Sequence, residues 1–88
     1  MHYVYVLQSL KDTRFYTGYT EDLRQRLQQH TSGKVGITRN RRPLELLYYE
    51  ACLNQADALH RERYLKTTWG KRFLRNRLKC YLQSIGLT

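Results

Sequence analysis

Residues 14–31, RFYTGYTEDLRQRLQQHT, hold two kinds of pattern end to end. Arg14 to Tyr19 is aromatic and β-branched and predicts a strand. Gly18 inside it predicts a close approach by another backbone or by a ligand. Thr20 is a good helix N-cap, and Glu21 and Asp22 after it suit the positive end of a helix. The predicted helix runs to about Thr31 and stops near Gly33.

Before this stretch, His2 to Leu7 reads as a first strand, joined to the second by the polar turn Lys11-Asp12-Thr13 in a hairpin. After it come a basic loop over residues 32–42, Pro43, and a third strand over Leu44 to Leu53. Asn54 can cap a second helix through about Lys66, and Gly70 breaks the chain before a third, from about Lys71 to Gln83. The order is β-β-α-β-α-α. This is an α/β domain with a small three-stranded, mostly antiparallel sheet flanked by helices.

At 88 residues, the length fits a single domain over 1–88. No stretch approaches the roughly 20 apolar residues of a membrane helix. The chain opens directly into a strand without a basic leader, so a cytoplasmic location is expected. Cys52 and Cys80 are then expected to be reduced, semi-buried thiols.

Charge gives the first functional clue. Sixteen Lys and Arg against seven Asp and Glu leave a net charge of +9. Residues 60–79 hold eight of the basic residues and one acid, Glu62, while Lys34, Arg39, Arg41 and Arg42 crowd the loop with no acid. Such a surface favours polyanions through counterion release, and nucleic acid is the commonest partner.

Helical phase singles out a few side chains. On the first helix Leu23 and Leu27 form the apolar stripe, and Arg26 and His30, four residues apart, border it. The plainer reading is an arginine stem laid along the core rim beside a packed histidine. On the second helix Glu62 falls among Ala58, Leu59 and Leu65. A carboxylate there needs compensation. It is either an ion-pair partner for Arg26 or a metal ligand in a cleft. Tyr5 and Tyr16 stand on adjacent strands, and phenols can donate to phosphate or transfer protons.

Taken in order, these residues resemble the GIY-YIG nuclease family, most of all its short stand-alone bacterial members. The first motif is matched by Tyr3-Val4-Tyr5, the second by Tyr16-Thr17-Gly18, and the following helix supplies Arg26 and His30. The downstream acid is Glu62, and a later helical asparagine of the family is matched by Asn76. Tyr3 replaces the glycine of the first motif, and Tyr19 stands where relatives that incise DNA during excision repair carry a lysine.

The resemblance implies a metal-dependent endonuclease that hydrolyses phosphodiester bonds, in DNA more than RNA, and selects structure over sequence. One Mg²⁺ or Mn²⁺ ion would be held by Glu62. Arg26 would bind the scissile phosphate, Tyr5 would position the attacking water or the phosphate, and Tyr16 or His30 would relay the proton. Lys34, Arg39, Arg41, Arg42, Lys71, Arg72, Arg75 and Asn76 are the expected nucleic-acid contacts. A partner protein would supply any long-sequence specificity. The alternatives are a nucleic-acid-binding module of the same fold that cuts weakly or not at all, and a protein-interaction adaptor.

Overall fold

Tyr3, Tyr5 and Leu7 alternate with Val4, Val6 and Gln8, which gives the first strand two different faces, both of them covered. In the computed structural model, which describes residues 1–87, β1 (His2–Ser9) is the middle strand of an antiparallel sheet ordered β2-β1-β3. β2 (Phe15–Thr20) and β3 (Leu44–Cys52) are its edges. Val4 to Leu7 are buried throughout, as a central strand between two layers requires. The last residue of the expected 1–88 domain lies outside the described residues.

The expected β-β-α-β-α-α order is observed, with two refinements. The basic loop contains one short helical turn, α2 (Gly36–Arg39), between α1 (Leu23–Thr31) and β3. After α3 (Gln55–Leu65), the last helix is divided at Leu78 into α4 (Thr68–Arg77) and α5 (Lys79–Ser84). On one sheet face Val4 and Val6 pack with Ala58, Leu65 and Leu74 in the hydrophobic core. Burying a side chain of this size contributes roughly 1.5–3 kcal/mol. The other face lies under α1.

Three local expectations are corrected. The cap of α1 is Asp22, not Thr20: its carboxylate accepts from the Gln25 amide at 3.0 Å, while the Thr20 hydroxyl accepts from the Asp22 amide at 3.1 Å. A carboxylate at the cap gains a charge-assisted bond that a hydroxyl lacks, which moves the start of the helix two residues on. Gly70 does not break the chain. It lies inside α4, where an added Cβ would sit 2.5 Å from the Leu65 Cα, so its bareness lets α4 cross α3 at close range. The helix therefore starts at Thr68, not Lys71, with the Thr67 hydroxyl accepting from the Gly70 amide. Third, both cysteines are free, but only Cys52 is half-buried; Cys80, on α5, is exposed.

Asn54 caps α3 as expected, its side chain accepting from the Ala56 and Asp57 amides. Among the described residues no helix is long and apolar enough to cross a membrane.

Candidate active site

Tyr5 and Gly18 face each other across the β1–β2 pairing. A Cβ built on Gly18 would fall 2.5 Å from the Tyr5 Cζ, so the glycine makes room for the phenol ring. A side chain, not another backbone, is what approaches Gly18. The Tyr5 side chain thus crosses the edge strand and is wholly buried.

Its hydroxyl is the middle of a chain of polar contacts. Arg26 Nε donates to it at 3.4 Å, and His30 Nε2 lies 2.8 Å away. His30 Nδ1 lies 2.7 Å from the Thr38 Oγ1, and that hydroxyl reaches the Val35 carbonyl at 3.5 Å. His30 is 1 % exposed, and burial, helped by the Arg26 charge, lowers its pKa to about 4. The ring is therefore neutral near pH 7, with one N–H and one lone pair. One arrangement satisfies every donor: Arg26 donates to Tyr5, Tyr5 to Nε2, Nδ1–H to Thr38, and Thr38 to Val35.

Burial also pushes the Tyr5 phenol above its ordinary value of 10.0, against the hydrogen bond from Arg26; the charges of Tyr16 and Glu62 act in the same direction as burial. Burial thus raises the Tyr5 phenol and lowers the His30 imidazole, and both shifts keep the shared proton on Tyr5. His30 Nε2 is then the acceptor for the Tyr5 hydroxyl. Sequence phase placed His30 beside the Leu23–Leu27 stripe; in the structure it is the buried residue of α1, because Tyr5 and Thr38 satisfy both its nitrogens.

Tyr16 packs edge-on against the His30 ring, centroids 5.3 Å apart, and lies 6.4 Å from the Tyr5 ring. It is only half-buried. Glu62, on α3, has an 18 % exposed side chain whose Oε2 accepts from Lys66 Nζ at 3.0 Å. The alternative of an Arg26–Glu62 ion pair is not what forms, since Arg26 gives its Nη1 to the Gln29 side chain at 3.0 Å. A bidentate ion pair lies elsewhere. Arg61 binds both oxygens of Glu50, which also accepts from the Tyr48 hydroxyl. Among the described residues no three His, Cys, Asp or Glu side chains converge as a ready-made cage for an ion.

The expected nucleic-acid contacts line more than one concavity. Arg41, Lys71 and Arg75 line a common groove. Arg39 and Arg42 line a separate depression, where Arg39 Nε donates to the Gly33 carbonyl and Arg42 Nη1 to the Thr31 carbonyl. Those two arginines satisfy carbonyls at the end of α1, as cationic side chains near a helix C-terminus do. Arg72 lies over the Trp69 ring at 4.9 Å. Lys34 and Asn76 are exposed.

Sequence reasoning missed Thr38. It lies in a loop without periodicity, and only its complete burial marks it.

Residues 1–79 match the family model described as the GIY-YIG catalytic domain. The chain is similar to a UPF0213 protein of Oceanobacillus iheyensis, 44% identical over 66 residues, which cover 74% of this chain and 76% of that protein. It is similar to another from Pediococcus acidilactici, 43% identical over 88 residues, covering 97% and 84%. Among solved structures, the solution NMR structure of a UPF0213 protein from Bacillus halodurans aligns with a TM-score of 0.54 at 37% identity, covering 85% of this chain and 82% of that one.

Proposed function

The chain belongs to the GIY-YIG catalytic-domain family, and from that membership and the site geometry we propose that it is a metal-dependent endonuclease acting on DNA. The observation that carries this reading is the Tyr5 hydroxyl, held between Arg26 and His30 and within electrostatic reach of Glu62.

The donor set fits a hard divalent ion. A single carboxylate suits Mg²⁺, which ordinarily takes one or two carboxylates and completes its shell with water and substrate phosphate. The present partner of Glu62 is Lys66, whose side chain is 53% exposed, and an exposed pair of this kind gives way at little cost. An ion held by Glu62 would polarise the phosphate and favour ionisation of a bound water.

The chain's own residues supply the rest. The Arg26 guanidinium keeps donors beyond the one it gives to Tyr5, and these bind the scissile phosphate in a planar fork. Tyr5, wholly buried, anchors the Arg26 guanidinium through its hydroxyl and so fixes where the phosphate stands. Tyr16 is the better proton relay: it is reachable from solvent, whereas both His30 nitrogens are engaged and buried. The expected preference for DNA over RNA, for branched over linear substrates, and for a partner protein that supplies specificity belongs to this reading.

Incubation with linear duplex, flap and junction DNA, and with matched RNA, with and without Mg²⁺, tests it. Metal-dependent strand scission, fastest on a branched DNA, is expected. Binding without scission on every substrate would overturn the catalytic reading.

A further inference from the structure

The groove that collects Arg41, Lys71 and Arg75 is wider in membership than the sequence suggested. Arg14, from the start of the β2 hairpin, and Lys79, from α5, line it too. One acid, Asp12, shares it and pairs with Arg41 at 3.4 Å. Arg14, Lys71, Arg75 and Lys79 have no ion-pair partner among the described residues. Four uncompensated cations around one concavity repel one another and favour a polyanion. At about 1150 Å³ the groove exceeds the roughly 300–1,000 Å³ of a small-molecule site, which suits a polymer better than a metabolite.

Two further features narrow the ligand. Ile37, 71% exposed, stands on the groove's rim, and Phe15 contributes an apolar patch to its wall. Gln8, 1% exposed, gives its Nε2 to the Thr13 carbonyl and leaves its buried Oε1 without a partner. A nucleic-acid strand carries what this combination asks for: anionic oxygens, flat apolar faces, and N–H or O–H donors.

The groove and the reactive cluster lie on opposite faces of the sheet and meet round its edge strand β2. Phe15 lines the groove, and its neighbour Tyr16 packs on His30; Ile37 lines the groove, and its neighbour Thr38 bonds to His30. Consecutive Cα atoms are about 3.8 Å apart. Twice, then, one residue of an adjacent pair faces the groove and the other faces the catalytic chain, across edge strand β2 and through α2.

We propose that this groove is the track for the nucleic-acid strand leading to the reacting phosphate, gripped by its phosphodiester backbone. The proposal rests on the nuclease reading and names the surface that would hold its substrate.

The test uses the full chain and a fluorescently labelled hairpin DNA with a single-stranded arm. Affinity is read by anisotropy in EDTA over a series of salt concentrations. Arg14→Glu/Lys79→Glu and, as a second variant, Lys71→Glu/Arg75→Glu are compared with a charge-matched pair outside the groove, Arg63→Glu/Arg77→Glu. Circular dichroism melts verify folding. Each groove variant should lose at least about tenfold more affinity than the control, and its slope of log K against log salt should shrink by roughly 1.4 to 1.8 for two lost contacts. Equal losses in groove and control variants would overturn the proposal. Scission by the wild-type chain with Mg²⁺ is scored separately: its absence overturns the nuclease reading, whereas equal affinities overturn the groove.

Discussion

Tyr5 and Thr38 hold opposite ends of one imidazole, the Tyr5 hydroxyl 2.8 Å from His30 Nε2 and the Thr38 hydroxyl 2.7 Å from Nδ1. The position of Tyr5 is therefore set partly by a residue that touches neither the phenol nor the solvent. Thr38 is a positioning residue, and its effect passes through the tautomer of His30.

Thr38→Val should leave the Nδ1–H without an acceptor or drive the ring to its other tautomer, which turns a donor toward Tyr5. Stranding a buried polar group costs about 1–3 kcal/mol. Turnover should fall by an order of magnitude or two, and Thr38→Ser should restore most of it. Single-turnover cleavage by both variants checks this. Equal loss in Val and Ser would assign Thr38 to packing alone.

The depressed basicity of His30 predicts a pH dependence of stability. Its folded-state pKa of about 4 lies below the ordinary imidazole value of 6.5, so between these pH values the unfolded chain binds the proton that the folded chain refuses. Stability at neutral pH carries no penalty from this group. Below pH 6.5 it declines, and the loss levels off near pH 4 at about 3 kcal/mol. In His30→Gln, denaturant titrations should show a flatter decline across that window; an unchanged profile would mean that His30 is protonated in the folded chain.

Gly18→Ala should strike Tyr5 directly, since the added methyl falls on the phenol ring. Tyr5 is held by His30 and Arg26 and has little room to move. Overpacking of this kind costs about 1–3 kcal/mol, and cleavage should fall further than stability alone explains. A melting temperature and rate equal to wild type would show that Tyr5 can lie elsewhere.

The β-β-α-β-α-α order and the hairpin were legible because periodicity is a local signal; helical phase singled out Arg26 and His30, and the resemblance joined Tyr5 and Tyr16 to them. Reading Thr20 as the cap failed because Asp22, two residues on, offers a charged acceptor to the Gln25 amide, while Thr20 accepts from Asp22 itself. Gly70 was misread because a glycine that lets two helices touch looks, in sequence, like one that ends a helix. The alternative pairing of Glu62 with Arg26 did not form: Glu62 pairs with Lys66, one turn on along the same helix, and the Glu50–Arg61 pair meets only once β3 and α3 are packed. The groove draws its cations from the β2 hairpin, α4 and α5, an assembly that charge counting along the chain does not reveal.

Arg26→Lys keeps a positive charge and loses the planar fork, together with the Nε donor to Tyr5. Cleavage should fall at least tenfold while DNA affinity changes less than about threefold. Parallel kcat and binding measurements separate the two, and a matched loss in both would make Arg26 an affinity residue.

Glu62→Gln tests the catalytic assignment most directly. It keeps the side-chain volume and removes the anion. Its partner Lys66 is exposed, so stability should change by no more than about 1 kcal/mol. Three measurements on this variant are needed: a thermal melt, DNA binding in EDTA, and cleavage with Mg²⁺. The expected result is a near-normal melt, binding equal to or tighter than wild type, and cleavage reduced at least about a hundredfold. Metal-dependent cleavage at the wild-type rate by a folded Glu62→Gln chain would contradict it.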